Sequence, residues 1–66
     1  MPNELARDIR QARLERGWAP YDLAVALRRR GCPVTANDVA RYEAGHAMFT
    51  DTERAIRRVL GLEATA

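Results

Sequence analysis

Residues 20–45, PYDLAVALRRRGCPVTANDVARYEAG, contain two helical segments separated by a turn. The first segment opens on Pro20, which is tolerated at the first helical position because the N–H it lacks would have no partner there. In the turn, Gly31 can adopt a left-handed conformation and Pro33 prevents the helix from continuing. Thr35 is a good cap for the second segment. Two helices joined by a turn in this way predict a helix-turn-helix.

The same kinds of signal indicate one helix before this stretch and one after it. The first is expected from Pro2 or Asn3 to Arg16, with apolar residues at helical spacing. The last is expected to open with a capping box at 50–53 (TDTE) and to run to Leu60. No segment alternates as a strand would. We therefore predict an all-α protein: a small bundle of four to five helices forming one domain over residues 1–66, with the helix-turn-helix at about 20–45.

Composition limits the classes of function. A chain of 66 residues forms one small domain with little room for a catalytic cleft. All 11 of its basic residues are arginine, and the formal net charge of +2 is compatible with a polyanionic partner. The single cysteine, Cys32, excludes an internal disulfide framework and a thiolate zinc site. Since the chain has one histidine and no serine, we expect no enzyme, no cofactor, no metal site and no small-molecule substrate.

The location of the protein is predicted from two absences. The longest apolar run falls far short of the ~20 residues that a membrane span needs. The N-terminal residues MPNE lack the basic and apolar regions of a signal peptide. We therefore expect a cytoplasmic, nucleoid-associated protein without membrane contact.

The second helix of the predicted helix-turn-helix has two chemically different faces. Val39 and Tyr42 share the face expected to point toward the core. The opposite face carries Ala36, Asn37, Ala40, Arg41 and Ala44. Small side chains let a helix backbone approach the major groove, where Asn suits adenine, Arg suits guanine or phosphate, and Ala can meet a thymine methyl. The pattern favours DNA contact by this helix, and the competing interpretation is an ordinary solvated face.

Three segments, in this order, are similar to a known family: IRQARLERGW at 9–18, DLA at 22–24 and DVARYEAG at 38–45. Over about residues 5–62 the chain resembles the Cro/phage-repressor (XRE-type) family of helix-turn-helix proteins. The resemblance implies a lambda-repressor-like bundle of four or five helices. It also implies a protein that binds operator DNA, usually as a dimer, and represses transcription.

The resemblance implies roles for individual residues as well. Arg13 and Glu43 match an ion pair that ties the first helix to the end of the recognition helix. His46, together with the glycine before it, matches a turn that approaches phosphate, although plain exposure of this histidine is the alternative. The positions that match DNA contacts of the third helix are Thr35, Ala36, Asn37 and Arg41.

The chain departs from the family pattern in two places. Ala19 and Pro20 stand where the family usually has a capping residue and a phosphate-binding Gln, and Tyr21 is the candidate to replace that phosphate contact. The connection to the third helix is several residues longer than in the family. The arginines that it carries, Arg28 and Arg30 among them, either reach the DNA backbone or are solvated.

These observations predict a sequence-specific DNA-binding transcriptional repressor that regulates its own operon in a phage or mobile element. Examples of such proteins are Cro-like and anti-CRISPR-associated regulators. We expect a homodimer on a palindromic operator in double-stranded DNA, with the third helix in the major groove. Met48, Phe49 and Leu62 either complete the core or form the dimer patch, and the patch is favoured. The alternative is a protein-interaction module or antitoxin whose main partner is a protein.

Overall fold

The computed structural model describes residues 4–62, and over this range the chain forms four α-helices and no strand. The helices are α1 (Glu4–Glu15), α2 (Pro20–Arg29), α3 (Ala36–Glu43) and α4 (Thr50–Leu60). The predicted all-α class is thus confirmed for the described residues. The expected start of α1 at Pro2 or Asn3 lies outside them. None of the helices in 4–62 combines the length and the apolar character needed to cross a membrane.

A hydrophobic core lies between these helices. Trp18, Met48 and Leu62 are half-buried and pack against it, so two of the three residues considered for a dimer patch also contribute to the core. Burying one Leu or Ile side chain stabilises a fold by about 1.5–3 kcal/mol. The buried members of the core are Ile9, Ala12, Leu23, Ala24, Leu27, Val34, Val39, Ile56 and Leu60.

The pairing of helices follows from where these apolar residues lie. Helices α2 and α3 pack against each other more extensively than the other described pairs. Helix α3 also contacts α1, and α4 contacts both α1 and α2. The third helix is therefore supported mainly by α1 and α2, while Asn37, Ala40 and Arg41 stay exposed.

The connection between α2 and α3 is ordered by hydrogen bonds of its own. Gly31 has φ +82°, a left-handed conformation that costs little only for glycine. The Cys32 N–H donates to the Leu27 carbonyl at 3.0 Å. The Arg28 Nε donates to the carbonyl of buried Val34 at 2.9 Å. An arginine in the last turn of α2 thus helps to hold the connection in place.

Helix α3 begins with a reciprocal capping box around Thr35, the cap residue that the sequence predicts. The Asp38 N–H donates to Thr35 Oγ1 at 3.1 Å, and the Thr35 N–H donates to Asp38 Oδ2 at 3.0 Å. The hydrogen bonds from the backbone and the side chain of Thr35 hold the pKa of the Asp38 carboxyl below its ordinary value. The cap fixes the residue at which α3 starts.

The capping box predicted at 50–53 is wrong. Helix α4 begins at Thr50, and its N-cap residue is Phe49, which provides no side-chain hydrogen bond. Thr52 is buried, and its Oγ1 accepts a hydrogen bond from Cys32 Sγ at 3.9 Å. Glu53 pairs with Arg57 within the helix at 3.1 Å. Glu53, which a capping box would have used, therefore serves an ion pair, and Thr50 is the first residue of the helix rather than its cap.

Candidate nucleic-acid interface

The two faces of α3 differ as the sequence predicts. Val39 is completely buried, and Tyr42 is half-buried against the core. Burial raises the pKa of the Tyr42 hydroxyl. On the other side, Asn37, Ala40, Arg41 and Ala44 are exposed, and Ala36 is half-buried. The structure thus brings the candidate base-contacting residues together on one solvent-facing surface, which we call the α3 face (Ala36, Asn37, Ala40, Arg41 and Ala44).

Arg13 and Glu43 form a two-pronged ion pair between α1 and α3. Arg13 Nε donates to Glu43 Oε2 at 2.7 Å, and a terminal nitrogen donates to Oε1 at 2.9 Å. The third guanidinium nitrogen donates to the Trp18 carbonyl at 2.6 Å. The side chains of the pair are only 9% and 7% exposed. The hydrogen bonds to Glu43 raise the pKa of Arg13 above its ordinary value.

This ion pair sets how α3 is held. Its three hydrogen bonds join α1, the turn after it and the last residue of α3. Among the described residues, no buried side-chain nitrogen or oxygen is left without a hydrogen bond. A buried pair adds little net stability over an apolar replacement, but removal of one partner strands the other charge. The pair therefore restricts the angle of α3 against α1.

The turn after α3 presents His46 to solvent. The His46 N–H donates to the Arg41 carbonyl and the Gly45 N–H to the Tyr42 carbonyl, both at 3.0 Å. Gly45 has φ +95°, so the helix ends in a Schellman motif. His46 is exposed, at the C-terminal end of the helix that carries the α3 face.

The start of α2 lacks a side-chain cap, as expected from Ala19. The Asp22 carboxylate compensates in part by accepting a hydrogen bond from the Ala19 N–H at 2.7 Å. Tyr21 stands in the first turn of α2 and is 60% exposed. Its hydroxyl is thus accessible to a ligand that approaches this end of the helix.

The remaining predicted contacts lie at the other end of α2. Arg28 and Arg30 are exposed at the C-terminal end of α2, whereas Tyr21 lies in its first turn. The structure therefore does not bring these arginines together with Tyr21. The Nε of Arg28 is occupied by the Val34 carbonyl. Arg30 lines a cleft with residues of α4, among them Arg54.

Sequence reasoning missed the residues of α4 that line this cleft. Arg54 and Arg58 are four positions apart, so they share a face of the helix, and this spacing was the available signal. The sequence also left open whether Phe49 completes the core or lies on the surface, and in the structure this residue is 83% exposed. Within residues 4–62, no group of three or more His, Cys, Asp or Glu side chains is placed to hold a metal ion.

No family model, curated protein or solved structure matches this chain. The family resemblance therefore rests on the sequence motifs, and the DNA-contacting roles that it implies remain predictions.

Proposed function

We propose that this chain is a DNA-binding transcriptional repressor of the Cro/phage-repressor type, acting at the nucleoid and regulating its own operon in a phage or mobile element. In this proposal α2 and α3 are the helix-turn-helix, and α3 enters the major groove of a palindromic operator. The observation that carries the proposal is the α3 face: an exposed surface of small side chains with one Asn and one Arg, on a helix held by a buried ion pair.

The geometry of α3 suits base contacts. Asn37 and Arg41 are four residues apart, which places them on one face about 6 Å apart along the helix axis. Base pairs follow one another every ~3.4 Å, so the two side chains can address positions about two base pairs apart. Ala40 lies between them and lets the helix backbone come close. The major groove is about 12 Å wide and admits a helix.

Phosphate contacts would orient this helix on the duplex. The exposed Tyr21 hydroxyl at the start of α2 and the exposed His46 after α3 are two candidates. Thr35 and Arg28 flank the connection and are exposed as well. Contacts of this kind fix register and orientation without selecting a sequence. We therefore assign sequence selection to the α3 face and positioning to these four residues.

Phe49 supports a homodimer. Its side chain lies beside a cleft of about 280 Å³ whose other lining residues are Tyr42, Ala47 and Met48. A two-fold dimer uses the same patch on both copies, so the patch must fit itself. An exposed ring next to an apolar cleft meets this requirement, since each Phe49 can enter the cleft of the other copy. The patch follows α3 directly in the chain, so pairing would fix the spacing of the two α3 helices.

The test is a gel-shift titration of the wild-type protein against the DNA upstream of its own gene, with scrambled duplex as competitor. We expect a discrete shift at submicromolar protein that survives the competitor. A smear that is lost on adding competitor or modest salt would overturn the proposal. That result would favour the alternative, in which the exposed surfaces bind a protein partner.

A further inference from the structure

A second basic surface lies away from the α3 face. Arg30, at the end of α2, and three residues of α4, Asp51, Arg54 and Arg58, line a cleft of about 180 Å³ together with Ala55. We call it the arginine cleft. None of its lining residues belongs to α3.

The long connection between α2 and α3 builds this cleft. Cys32 donates to Thr52 at 3.9 Å, which docks the connection on the first turn of α4. Thr52 is itself buried. Gly31, with φ +82°, turns the chain directly after Arg30. The end of α2 is thereby held next to α4, and an arginine of the connection comes to face arginines of the helix.

The charge of the arginine cleft is unbalanced. Three guanidinium groups and one carboxylate, that of Asp51, line it. Within residues 4–62, the side chains of Arg30 and Arg54 form no ion pair or hydrogen bond. Positive charges that lie close together on a surface raise the local concentration of anions.

We propose that the arginine cleft binds a phosphate group, with Arg30 and Arg54 as its ligands. The planar guanidinium fork matches phosphate oxygens and donates two parallel hydrogen bonds to them. The negative charge of Asp51 repels the anion and lowers the affinity of the site. The phosphate comes either from a nucleic-acid backbone or from a small phosphate compound, since both present the same oxygens. Binding at this site does not depend on operator recognition by the α3 face.

The first experiment is an NMR titration of the isotope-labelled chain with inorganic phosphate, at constant ionic strength maintained with chloride. We expect saturable shifts at residue 30 and at residues 54–55. Arg54→Ala should weaken the affinity roughly fivefold or more. Asp51→Asn should tighten phosphate binding roughly two- to fivefold, because the substitution removes a negative charge that repels the phosphate. Arg10→Ala, an exposed arginine of α1 outside the cleft, is the matched control and should leave the affinity unchanged.

Shifts that do not saturate, or an equal effect of Arg10→Ala and Arg54→Ala, would overturn the proposal. A second arm identifies the source of the phosphate by measuring binding to scrambled duplex at several salt concentrations. If the backbone supplies it, Arg54→Ala should reduce the slope of log affinity against log salt by about one. An unchanged slope together with saturable phosphate shifts assigns the site to a small phosphate compound. Operator specificity is measured separately, so either proposal can fail alone.

Discussion

Replacing Glu43 by Gln should destabilise the domain more than any exposed charge replacement. The substitution keeps the size of the side chain but removes the negative charge that faces the Arg13 guanidinium. Both side chains are buried, Arg13 being 9% and Glu43 7% exposed. Loss of one partner of a buried pair costs about 3–5 kcal/mol. Arg13 retains the Trp18 carbonyl, and Gln retains one acceptor oxygen, so we expect about 2 kcal/mol. For a domain of this size that lowers Tm by roughly 8–16 °C.

The assay is thermal unfolding followed by helical circular dichroism. Glu53→Gln is the matched control, because Glu53 pairs with Arg57 at 3.1 Å with side chains 40% and 33% exposed. An exposed pair of this kind contributes at most about 0.5 kcal/mol. A Glu43→Gln variant that melts with the wild type, or no lower than the Glu53→Gln control, would refute the idea that the buried pair holds α3 against α1.

Three further predictions concern the turns and the exposed patch. The pKa of the Asp38 carboxyl is lower in the folded protein than in the unfolded chain, so Asp38 stabilises α3 at pH values above its unfolded-state pKa. That stabilisation is lost as the pH falls through the lower folded-state pKa. An NMR pH titration of Asp38 should show this lowered midpoint, and an ordinary midpoint near ~3.9 would contradict it. Gly31→Ala should cost about 1–2 kcal/mol in chemical denaturation from backbone conformation alone, since a Cβ there meets no atom within 4 Å; Gly31→Asn should cost less, and equal losses would point to another cause. Phe49→Asp should leave a monomer in analytical ultracentrifugation with Tm nearly unchanged, because the ring is 83% exposed; an unaltered dimer would remove the patch from the interface.

The parts of the fold that sequence analysis predicts are the local ones. Thr35 and Asp38 are three residues apart in the sequence, so a short stretch of sequence contains both partners of this capping box. The same pattern at 50–53 failed because α4 begins one residue earlier than expected, with Phe49 as its N-cap, and Glu53 pairs with Arg57 instead. A capping pattern therefore does not by itself fix the residue at which a helix begins.

The features of the candidate site also divide into those that local sequence predicts and those that depend on residues far apart in the chain. The α3 face follows from helical periodicity, since Asn37 and Arg41 are on one side whenever the segment is a helix. The partnership of Arg13 with Glu43 spans thirty residues and was implied only by the family resemblance. The arginine cleft joins Arg30 to Arg54 across the docked connection, a juxtaposition that no local spacing predicts.

The most direct test of the central claim compares the affinity for operator with the affinity for scrambled duplex in Arg41→Ala and in the wild type. If Arg41 contacts a base, the variant should lose about 1–3 kcal/mol of discrimination, roughly five- to 150-fold, while its Tm stays within a few degrees of the wild type. The control Arg10→Ala should keep the wild-type ratio of the two affinities. A variant that folds normally and keeps the wild-type ratio would contradict the claim that the α3 face selects the DNA sequence.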